Sequence, residues 1–475
     1  MEVGLPARLS RPPSDSPAGI VHLGLGAFFR AHVATYITEA MVQQGGDWGV
    51  IGVSLQSPGT RDKLRPQGWA YTAVSLGPDG ETPQVMTLLR DVLVAPEDPQ
   101  AVLDAMADPA VAIVSLTVTE KGYCHAPATG RLNASHPDII HDLAQPLPKS
   151  APGYLVRALA LRRARGLAPF TVLCCDNLPE NGKVVRGVVL DLAHLIDPDL
   201  AGWIADNGAF PATMVDRIVP ATTADDLDRA AQLTGHHDAA PVLHEPFRQW
   251  VIEDHFCGPR PAFEATSAQL VADVTPYELM KLRMLNGTHS ALAYLGYLAG
   301  HETIADLMAD PAFTRFADML WRDEIIPVLT PPPGEDLTAY ASALADRYAN
   351  PAIRHRTWQI AMDGSQKLPQ RLLGTIAENR AAGRSTPGLT LALAAWMRYV
   401  SGQDEKGEVI AVKDPMAARL ASLWSDDPAR SVKSYLALTE IFPDNLCEDA
   451  GFVDELTQSL TQLLARGAYA MVAQS

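Results

Sequence analysis

The sequence predicts an α/β domain built on a wound sheet, followed by a mainly α-helical domain. In the first part of the chain, short apolar runs rich in β-branched residues alternate with alanine- and leucine-rich helical segments. After His289 the strand-like runs stop, and amphipathic segments separated by Pro and Gly breaks follow. A chain of 475 residues is long enough for two or three domains. We therefore expect one domain over residues 1–275 and a second over residues 276–475.

The composition excludes several classes of partner. A net charge of −17 and an isoelectric point near 5.2 argue against nucleic acids and anionic membranes. The first residues lack an apolar signal segment and no apolar run of about 18 residues follows, so a cytoplasmic location is expected. The five cysteines form no pattern of metal-ligand pairs, and no metal is expected. A monomer and a small homo-oligomer both remain open.

A glycine turn follows the first predicted strand. The segment from Gly19 to Val33 has the pattern of a strand, a turn and a helix. Gly24-x-Gly26 allows a tight turn and a close backbone approach, which a pyrophosphate at a helix N-terminus requires. Phe29 stands where the third glycine of the dinucleotide fingerprint is expected. We predict a Rossmann-like dinucleotide-binding domain.

The second predicted strand, Trp48–Leu55, bears on the choice of cofactor. Neither an acidic residue for the adenosine ribose nor a pair of cations for a 2′-phosphate stands at its end. Arg61 follows within reach of the same loop. We predict NAD as the cofactor, with a preference weakened by the missing acidic residue.

Two later strands end in polar residues. The run Val111–Glu120 ends in a carboxylate, and the run Pro169–Asn177 ends in Asp176 and an amide. Ligands of wound sheets bind beyond the carboxyl ends of parallel strands, so these side chains are candidates for chemistry. The alternative is that Asp176 and Asn177 cap the next helix. A further short apolar strand carries Asp216.

The helix that begins near Thr275 carries three polar residues on one side. Thr275 and Glu278 form a capping-box pattern, and Pro276 suits the first helical position. At about 100° per residue, Lys281, Asn286 and His289 fall within an arc of roughly 140°. Two interpretations are open: a catalytic set, or a snorkelling lysine with a satisfied core histidine.

Further helical segments are predicted in both domains. They are Gly153–Arg165, Ala291–Ala299, Pro311–Ile326, Leu337–Tyr348, Gln366–Ala382, Leu389–Val400, Met416–Leu423 and Phe452–Ala465.

Six sequence blocks spread over nearly the whole chain point to a known family. They are HLGLGAFFRAH, IVSLTVTEKGY, CCDNLPENG, FPATMVDRIVP, EPFRQWVIED and the K-x4-N-x2-H helix. With these blocks the chain resembles the long-chain mannitol dehydrogenase family. LTVTEKGY, MKLRMLNGTHSALAYLGYLAG, RHRTWQIAMDGSQKLPQRLL and WMRYVSGQDEKG are most similar to the branch that interconverts D-fructuronate and D-mannonate.

Two positions depart from the family pattern. Phe29 stands where relatives usually have histidine, which suggests different packing near the phosphates. Gln359 stands where mannitol-oxidising relatives carry a substrate-binding arginine, eight residues before Lys367.

The resemblance implies an oxidoreductase that uses a nicotinamide cofactor and no metal, with a sugar acid or a polyol as substrate. A free lysine is protonated at neutral pH, so Lys281 as general base needs a pKa lowered by burial or by nearby positive charge. The implied catalytic residues are Lys281, the amides Asn177 and Asn286, His289 for a substrate hydroxyl, and Glu120 for proton transfer to solvent. The cofactor-binding residues expected are Gly24, Gly26, Ala27, Phe28, Arg30 and Asp176, and the substrate-binding residues are Asp216, Arg354 and Lys367.

Three functions stay open at this point. The favoured one is the interconversion of D-fructuronate and D-mannonate. A mannitol 2-dehydrogenase or related polyol dehydrogenase is the second. A non-catalytic nucleotide-binding regulator is the third, and the intact set of Lys281, Asn286, His289 and Asn177 argues against it.

Overall fold

The structure is a computed structural model that describes residues 6–12, 17–126 and 129–475. The chain divides into two compact units, Met1–Thr275 and Pro276–Ser475. The α/β class of the first unit and the helical class of the second are confirmed. Among the described residues, no helix has both the length and the apolar character needed to cross a membrane.

The described residues form thirteen strands, all in the first unit. In chain order they are β1 Ala18–Leu23, β2 Gly49–Ser54, β3 Tyr71–Gly77, β4 Gly80–Met86, β5 Leu89–Val94, β6 Ile113–Leu116, β7 His125–Ala126, β8 Arg131–Leu132, β9 Thr171–Cys174, β10 Thr213–Asp216, β11 Val242–His244, β12 Gln249–Glu253 and β13 Gln269–Val271. The predicted strands at the glycine turn, at Trp48–Leu55 and in the two later apolar runs correspond to β1, β2, β6 and β9.

The main sheet is parallel, with the spatial order β5-β2-β1-β6-β9. Its strands β1, β6 and β9 are buried almost throughout, as a sheet covered by helices on both sides requires. Val21 and Val114 pack into one core with the helix Ala151–Ala164, while Ile20 and Ile113 pack into the opposite core with the helix Val33–Gln44. The strand order reverses between β1 and β6, which places a ligand crevice at their carboxyl ends.

Three smaller sheets complete the first unit. They have the orders β10-β12-β13, β11-β3-β4 and β7-β8. The strand β11 pairs in parallel with β3, which lies far away in sequence. The α-helices of this unit are Ala27–Ala31, Val33–Gln44, Gly59–Leu64, Pro99–Met106, Pro137–Ala144, Ala151–Ala164, Asn181–Ile196, Pro198–Asn207 and Ala224–Thr234. Short 3₁₀ turns lie at Arg65–Gln67, Glu120–Tyr123 and Phe263–Ala265.

The second unit is built from helices around one long apolar helix, Pro387–Val400. Its α-helices, with Thr275 as the first residue, are Thr275–Met280, Thr288–Leu298, Ile304–Met308, Pro311–Met319, Leu337–Tyr348, Thr357–Ile360, Gly364–Leu368, Gly374–Ala381, Pro387–Val400, Ala417–Ser422, Pro428–Leu436, Asp444–Cys447, Ala450–Arg466 and Ala468–Val472. Three segments are π-helical, namely Lys281–Gly287, Leu320–Ile325 and Pro369–Leu373, and Ile326–Val328 is a 3₁₀ turn. The prediction for Leu337–Tyr348 matches the observed helix at both ends.

A buried carboxylate makes the stability of the second unit depend on pH. Glu324 is 1% exposed and accepts hydrogen bonds from the backbone N–H groups of Gly388 (2.7 Å) and Leu389 (2.8 Å). Burial raises the pKa of Glu324 from 4.5 to about 7, although the two N–H donors favour the ionised form. Between these two values the unfolded chain has lost the proton that the folded chain still holds. The free energy of unfolding therefore falls as pH rises from about 4.5 to about 7.

We expect Glu324→Gln to remove this dependence. Relative to the variant, the wild type should lose roughly 3 kcal/mol over that pH window, which is the free-energy equivalent of the pKa shift. Denaturant unfolding of both proteins at several pH values measures the difference, and groups common to both proteins cancel. Parallel pH curves for the two proteins would contradict the raised pKa of Glu324.

Candidate functional site

The turn after β1 requires glycine at its first position. Gly24 has a φ of +92°, and a Cβ there would lie 2.2 Å from the backbone oxygen of Thr117, at the end of β6. The N–H of Gly24 donates to the oxygen of Val53 (2.9 Å), so the turn is tied to strands on both sides of β1. This close approach joins the carboxyl ends of β2, β1 and β6 at the reversal of strand order.

Gly26 stands at the open side of the same turn. It is exposed, it precedes the helix Ala27–Ala31, and the nearest atom to a Cβ there is Gly24 O at 3.8 Å. The buried guanidinium of Arg30 donates to Gly26 O (3.3 Å) and to Ala240 O (2.5 Å). These bonds favour a role for Arg30 in holding the turn over direct contact with a phosphate. Phe28, half-buried, lies in the first turn of that helix.

Phe29 faces the core. It is fully buried and its ring stacks on the imidazole of His22 at 3.7 Å between centroids. His22 lies 2.9 Å from both Ser115 Oγ and Thr117 Oγ1, and burial lowers its pKa to about 3, so the ring is neutral. The replacement of the family's usual histidine by Phe29 therefore changes the packing beneath the glycine turn. Any effect on packing near the phosphates is indirect.

Asp176 bridges the carboxyl ends of β9 and β6. Its carboxylate accepts hydrogen bonds from the backbone N–H groups of Val118 (2.8 Å) and Thr119 (3.1 Å) and from the hydroxyl of Tyr123 (2.6 Å). Burial raises the pKa of Asp176, and these donors oppose that shift. The carboxylate therefore does not cap the next helix, Asn181–Ile196, because it holds the loop after β6. Its role in cofactor binding stays a prediction.

That loop is strained at Thr119. Its backbone has a φ of +64° and a ψ of +162°, a region that is almost reserved for glycine and costs about 1–3 kcal/mol. The next residue, Glu120, is exposed at the start of the turn Glu120–Tyr123, and Asn177 is exposed beyond β9. Glu120, predicted to relay the proton, and Asn177, the predicted amide of this unit, thus both follow the carboxyl ends of neighbouring strands, β6 and β9. Asp216 is buried at the end of β10, opposite Gln249 of β12.

The cation near the end of β2 is paired. Arg61 forms ion pairs with Asp62 (2.8 Å) and with Glu97. Two carboxylates therefore compete for the guanidinium that a 2′-phosphate would need.

One group of side chains in the described part of the chain has metal-ligand chemistry. Atoms of Cys124, His136 and Asp138 lie within 4.8 Å of one another. However, His136 Nδ1 accepts the backbone N–H of Asp138 (3.2 Å) and caps the helix Pro137–Ala144. A nitrogen that accepts this bond has no lone pair left for a metal, so His136 acts here as a helix cap.

In the second unit, Lys281 and Asn286 lie in a π-helix. The α-helix that begins at Thr275 changes at Lys281 to the i→i+5 bonding pattern, which ends at Gly287. The α-helical angles predicted for this segment are wrong for that reason: residues five apart are joined by one π-turn and lie on the same side of the helix. Lys281 is 6% exposed and Asn286 is half-buried.

His289 is enclosed by two rings. It stacks on Tyr348 (4.3 Å between centroids) and meets His355 edge-to-face (4.9 Å). Burial and the charges of nearby His355, Arg347 and Arg371 lower the pKa of His289 well below its ordinary value. A neutral imidazole can both donate and accept, which suits recognition of a hydroxyl.

Two cations lie near His355, namely Lys367 and Arg371. Burial, then the charges of Lys367 and Arg371, lower the pKa of His355 to about 4. Lys367 Nζ donates to Met362 O (2.6 Å), and Arg371 donates to Ser290 Oγ (3.1 Å). By contrast, the side chain of Arg354 is 69% exposed and lies 4.0 Å from Glu302. The structure therefore favours Lys367 over Arg354 among the predicted substrate cations.

The sequence interpretation missed four residues of this region, namely Trp321, Tyr348, His355 and Arg371. Arg371 follows Lys367 by four residues, a spacing that indicates a shared helical face. For the two aromatic residues and His355, the sequence carries no periodic signal.

The strand order, the glycine turn and the polar strand ends define a dinucleotide-binding domain of the oxidoreductase class. The family model of the mannitol dehydrogenase Rossmann domain matches residues 18–265, and that of the mannitol dehydrogenase C-terminal domain matches residues 273–464. The chain belongs to the mannitol dehydrogenase family, oxidoreductases that act on secondary alcohols of sugar substrates.

Relatives cover nearly the whole chain. D-mannonate oxidoreductase of Escherichia coli is 48% identical over 473 residues, which are 98% of this chain and 97% of that protein. Mannitol 2-dehydrogenase of Phaeosphaeria nodorum is 41% identical over 463 residues, 96% of this chain and 81% of that protein. The ternary complex of Pseudomonas fluorescens mannitol 2-dehydrogenase with NAD and D-mannitol is 39% identical, with a TM-score of 0.88 over 98% of this chain and 96% of that chain.

Proposed function

We propose that this protein is an NAD-dependent oxidoreductase that interconverts D-fructuronate and D-mannonate, with Lys281 as the general acid and base. The observation that carries the sugar-acid assignment is the pair of cations beside the enclosed imidazoles, Lys367 and Arg371 next to His355 and His289. A carboxylate enclosed in protein needs partners that compensate its negative charge, whereas the neutral hydroxyls of a polyol need only hydrogen bonds.

The proposed roles follow from what each side chain can do. Oxidation of the alcohol removes a proton from the hydroxyl oxygen and a hydride from the carbon that bears this hydroxyl. NAD accepts the hydride when bound. Lys281 takes the proton, since burial disfavours the charged form of an amine. Asn177 and Asn286 donate N–H bonds to the developing oxyanion, because amides stabilise negative charge without competing for the proton. Glu120, which is exposed in the turn after β6, passes the proton to solvent.

NAD is favoured over NADP by the surroundings of β2. The turn Gly24–Gly26 offers backbone for a pyrophosphate in either cofactor, so the choice depends on the adenosine ribose. The pairing of Arg61 with Asp62 and Glu97 leaves that cation occupied. The Pseudomonas fluorescens relative is described in complex with NAD, which supports the same choice.

A mannitol 2-dehydrogenase is the second candidate. It is favoured by the 41% and 39% identity to proteins of that name. Against it stands Gln359, exposed on the helix Thr357–Ile360 where mannitol-oxidising relatives are expected to carry an arginine.

Steady-state kinetics with fructuronate and fructose, each with NADH and NADPH, separates the candidates. We expect kcat/KM for fructuronate to exceed that for fructose by about 10- to 100-fold, the equivalent of one charge-assisted contact, and NADH to be preferred. Lys367→Ala should narrow the substrate ratio, while Lys433→Ala, an exposed lysine on the helix Pro428–Leu436, should leave it unchanged. Equal or better activity on fructose would overturn the sugar-acid assignment.

A further inference from the structure

Two carbonyl groups of the π-helix Lys281–Gly287 are bonded to aromatic side chains. The indole N–H of Trp321 donates to Met284 O (2.9 Å), and the hydroxyl of Tyr348 donates to Leu285 O (2.7 Å). Both donors are buried. A π-helix is an uncommon alternative to the α-helix, and its bonding pattern needs support from its surroundings to persist. Leu285 O also accepts the backbone N–H of Thr288, and the two side chains add further bonds to this end of the segment.

The last residue of the π-helix is fixed by close packing. A Cβ at Gly287 would lie 2.7 Å from Arg371 O, in the π-helical segment Pro369–Leu373. The glycine therefore lets two backbones approach closely at the end of the segment that carries Lys281 and Asn286.

Tyr348 acts on the candidate site in a second way. Its ring stacks on His289 at an interplanar angle of 20°, while its hydroxyl holds Leu285 O. One side chain thus connects the bonding pattern of the π-helix to the orientation of the imidazole two residues beyond it. Trp321 donates to the helix backbone at Met284 O, and its ring lies 6.0 Å from the ring of Tyr348 between centroids.

We infer that Tyr348 and Trp321 are positioning residues that hold the π-helical bonding of Lys281–Gly287, so that Lys281 and Asn286 lie on one side of the helix. In an α-helix, residues five apart are about 140° apart, whereas in a π-helix one turn joins them. Loss of a carbonyl partner releases the segment towards α-helical bonding, which turns the amide away from the amine. This inference rests on the proposed roles of Lys281 and Asn286.

The test compares Tyr348→Phe with Tyr435→Phe. Both changes remove a buried hydroxyl that donates to a backbone carbonyl in the same unit, Leu285 O for Tyr348 and Leu420 O (3.0 Å) for Tyr435. Phenylalanine keeps the ring stacked on His289. We expect Tyr348→Phe to lower kcat by about 5- to 30-fold, the loss of one buried hydrogen bond, with the dissociation constant for NADH unchanged. Tyr435→Phe should keep the wild-type kcat.

The pH dependence of kcat distinguishes a positioning role of these residues from a role in stability alone. With Tyr348→Phe or Trp321→Phe, the ascending limb of kcat for alcohol oxidation should move to higher pH, because a loosened segment admits water to the Lys281 amine. A lower melting temperature with wild-type kcat and pH profile in both variants would overturn the inference. If the wild type itself turns over neither sugar acids nor polyols, the proposed function fails instead, so the two failures are distinguishable.

Discussion

Lys281→Met is expected to lower alcohol oxidation by a factor of 10²–10⁴, the usual contribution of a general base. Methionine keeps the buried aliphatic stem, which matters because Lys281 is only 6% exposed. Loss of rate in this variant therefore reports the missing amine and not a cavity. The ascending limb of kcat/KM against pH should disappear in the oxidation direction, and NADH binding measured by fluorescence should persist.

Two comparisons make this result decisive. Lys281→Ala should lose activity to the same extent but also unfold more easily, since it leaves a void where the stem packed. Arg283 is a second buried cation of the same π-helix, and its guanidinium forms two hydrogen bonds of 2.6 Å with the carboxylate of Glu378. Its substitution is the control for loss of a buried cation that is not the proposed base. A Lys281→Met enzyme that kept more than about a tenth of the wild-type rate would exclude this lysine as the base.

The wound sheet was predictable because its information is local. Each of β1, β2, β6 and β9 is a short run rich in β-branched residues, and burial on both faces leaves few polar positions in it. The small sheet β11-β3-β4 was not predicted, since its parallel pair joins residues near 74 and 243 and nothing local specifies such a partner. Helix Leu337–Tyr348 was predictable at both ends because Asp336 caps its first turn and the chain turns at Ala349.

The π-helix and the role of Asp176 depend on tertiary contacts. The bonding of Lys281–Gly287 is supported by donors from Trp321 and Tyr348, which no helical periodicity around Lys281 indicates. Likewise, the sequence around Asp176 allowed a helix cap, whereas its carboxylate in the structure accepts N–H groups at the end of the neighbouring strand. The sequence predicts a polar residue at a strand end, but its hydrogen-bond partners depend on which strand lies next to it in the sheet.

Gly24→Ala is expected to destabilise the first unit by roughly 3 kcal/mol or more. The φ of +92° is strained for any residue with a Cβ, and that atom would lie 2.2 Å from Thr117 O, a backbone atom that cannot rotate away. Relief would require separating the ends of β1 and β6. Denaturant unfolding should show the loss directly, and any folded fraction should bind NADH poorly because the turn is displaced.

Gly26→Ala is the matched substitution, and it separates the fold from the cofactor. The backbone of Gly26, with a φ of −93° and a ψ of −173°, is open to alanine, and the nearest atom to its Cβ is 3.8 Å away. Unfolding should therefore change by less than about 1 kcal/mol, within the usual range for a weakened helix cap. The dissociation constant for NADH should rise about tenfold or more, since the added methyl group occupies the space into which a pyrophosphate must approach. Wild-type NADH affinity in Gly26→Ala would show that the cofactor does not approach this turn, whatever Gly24→Ala does to stability.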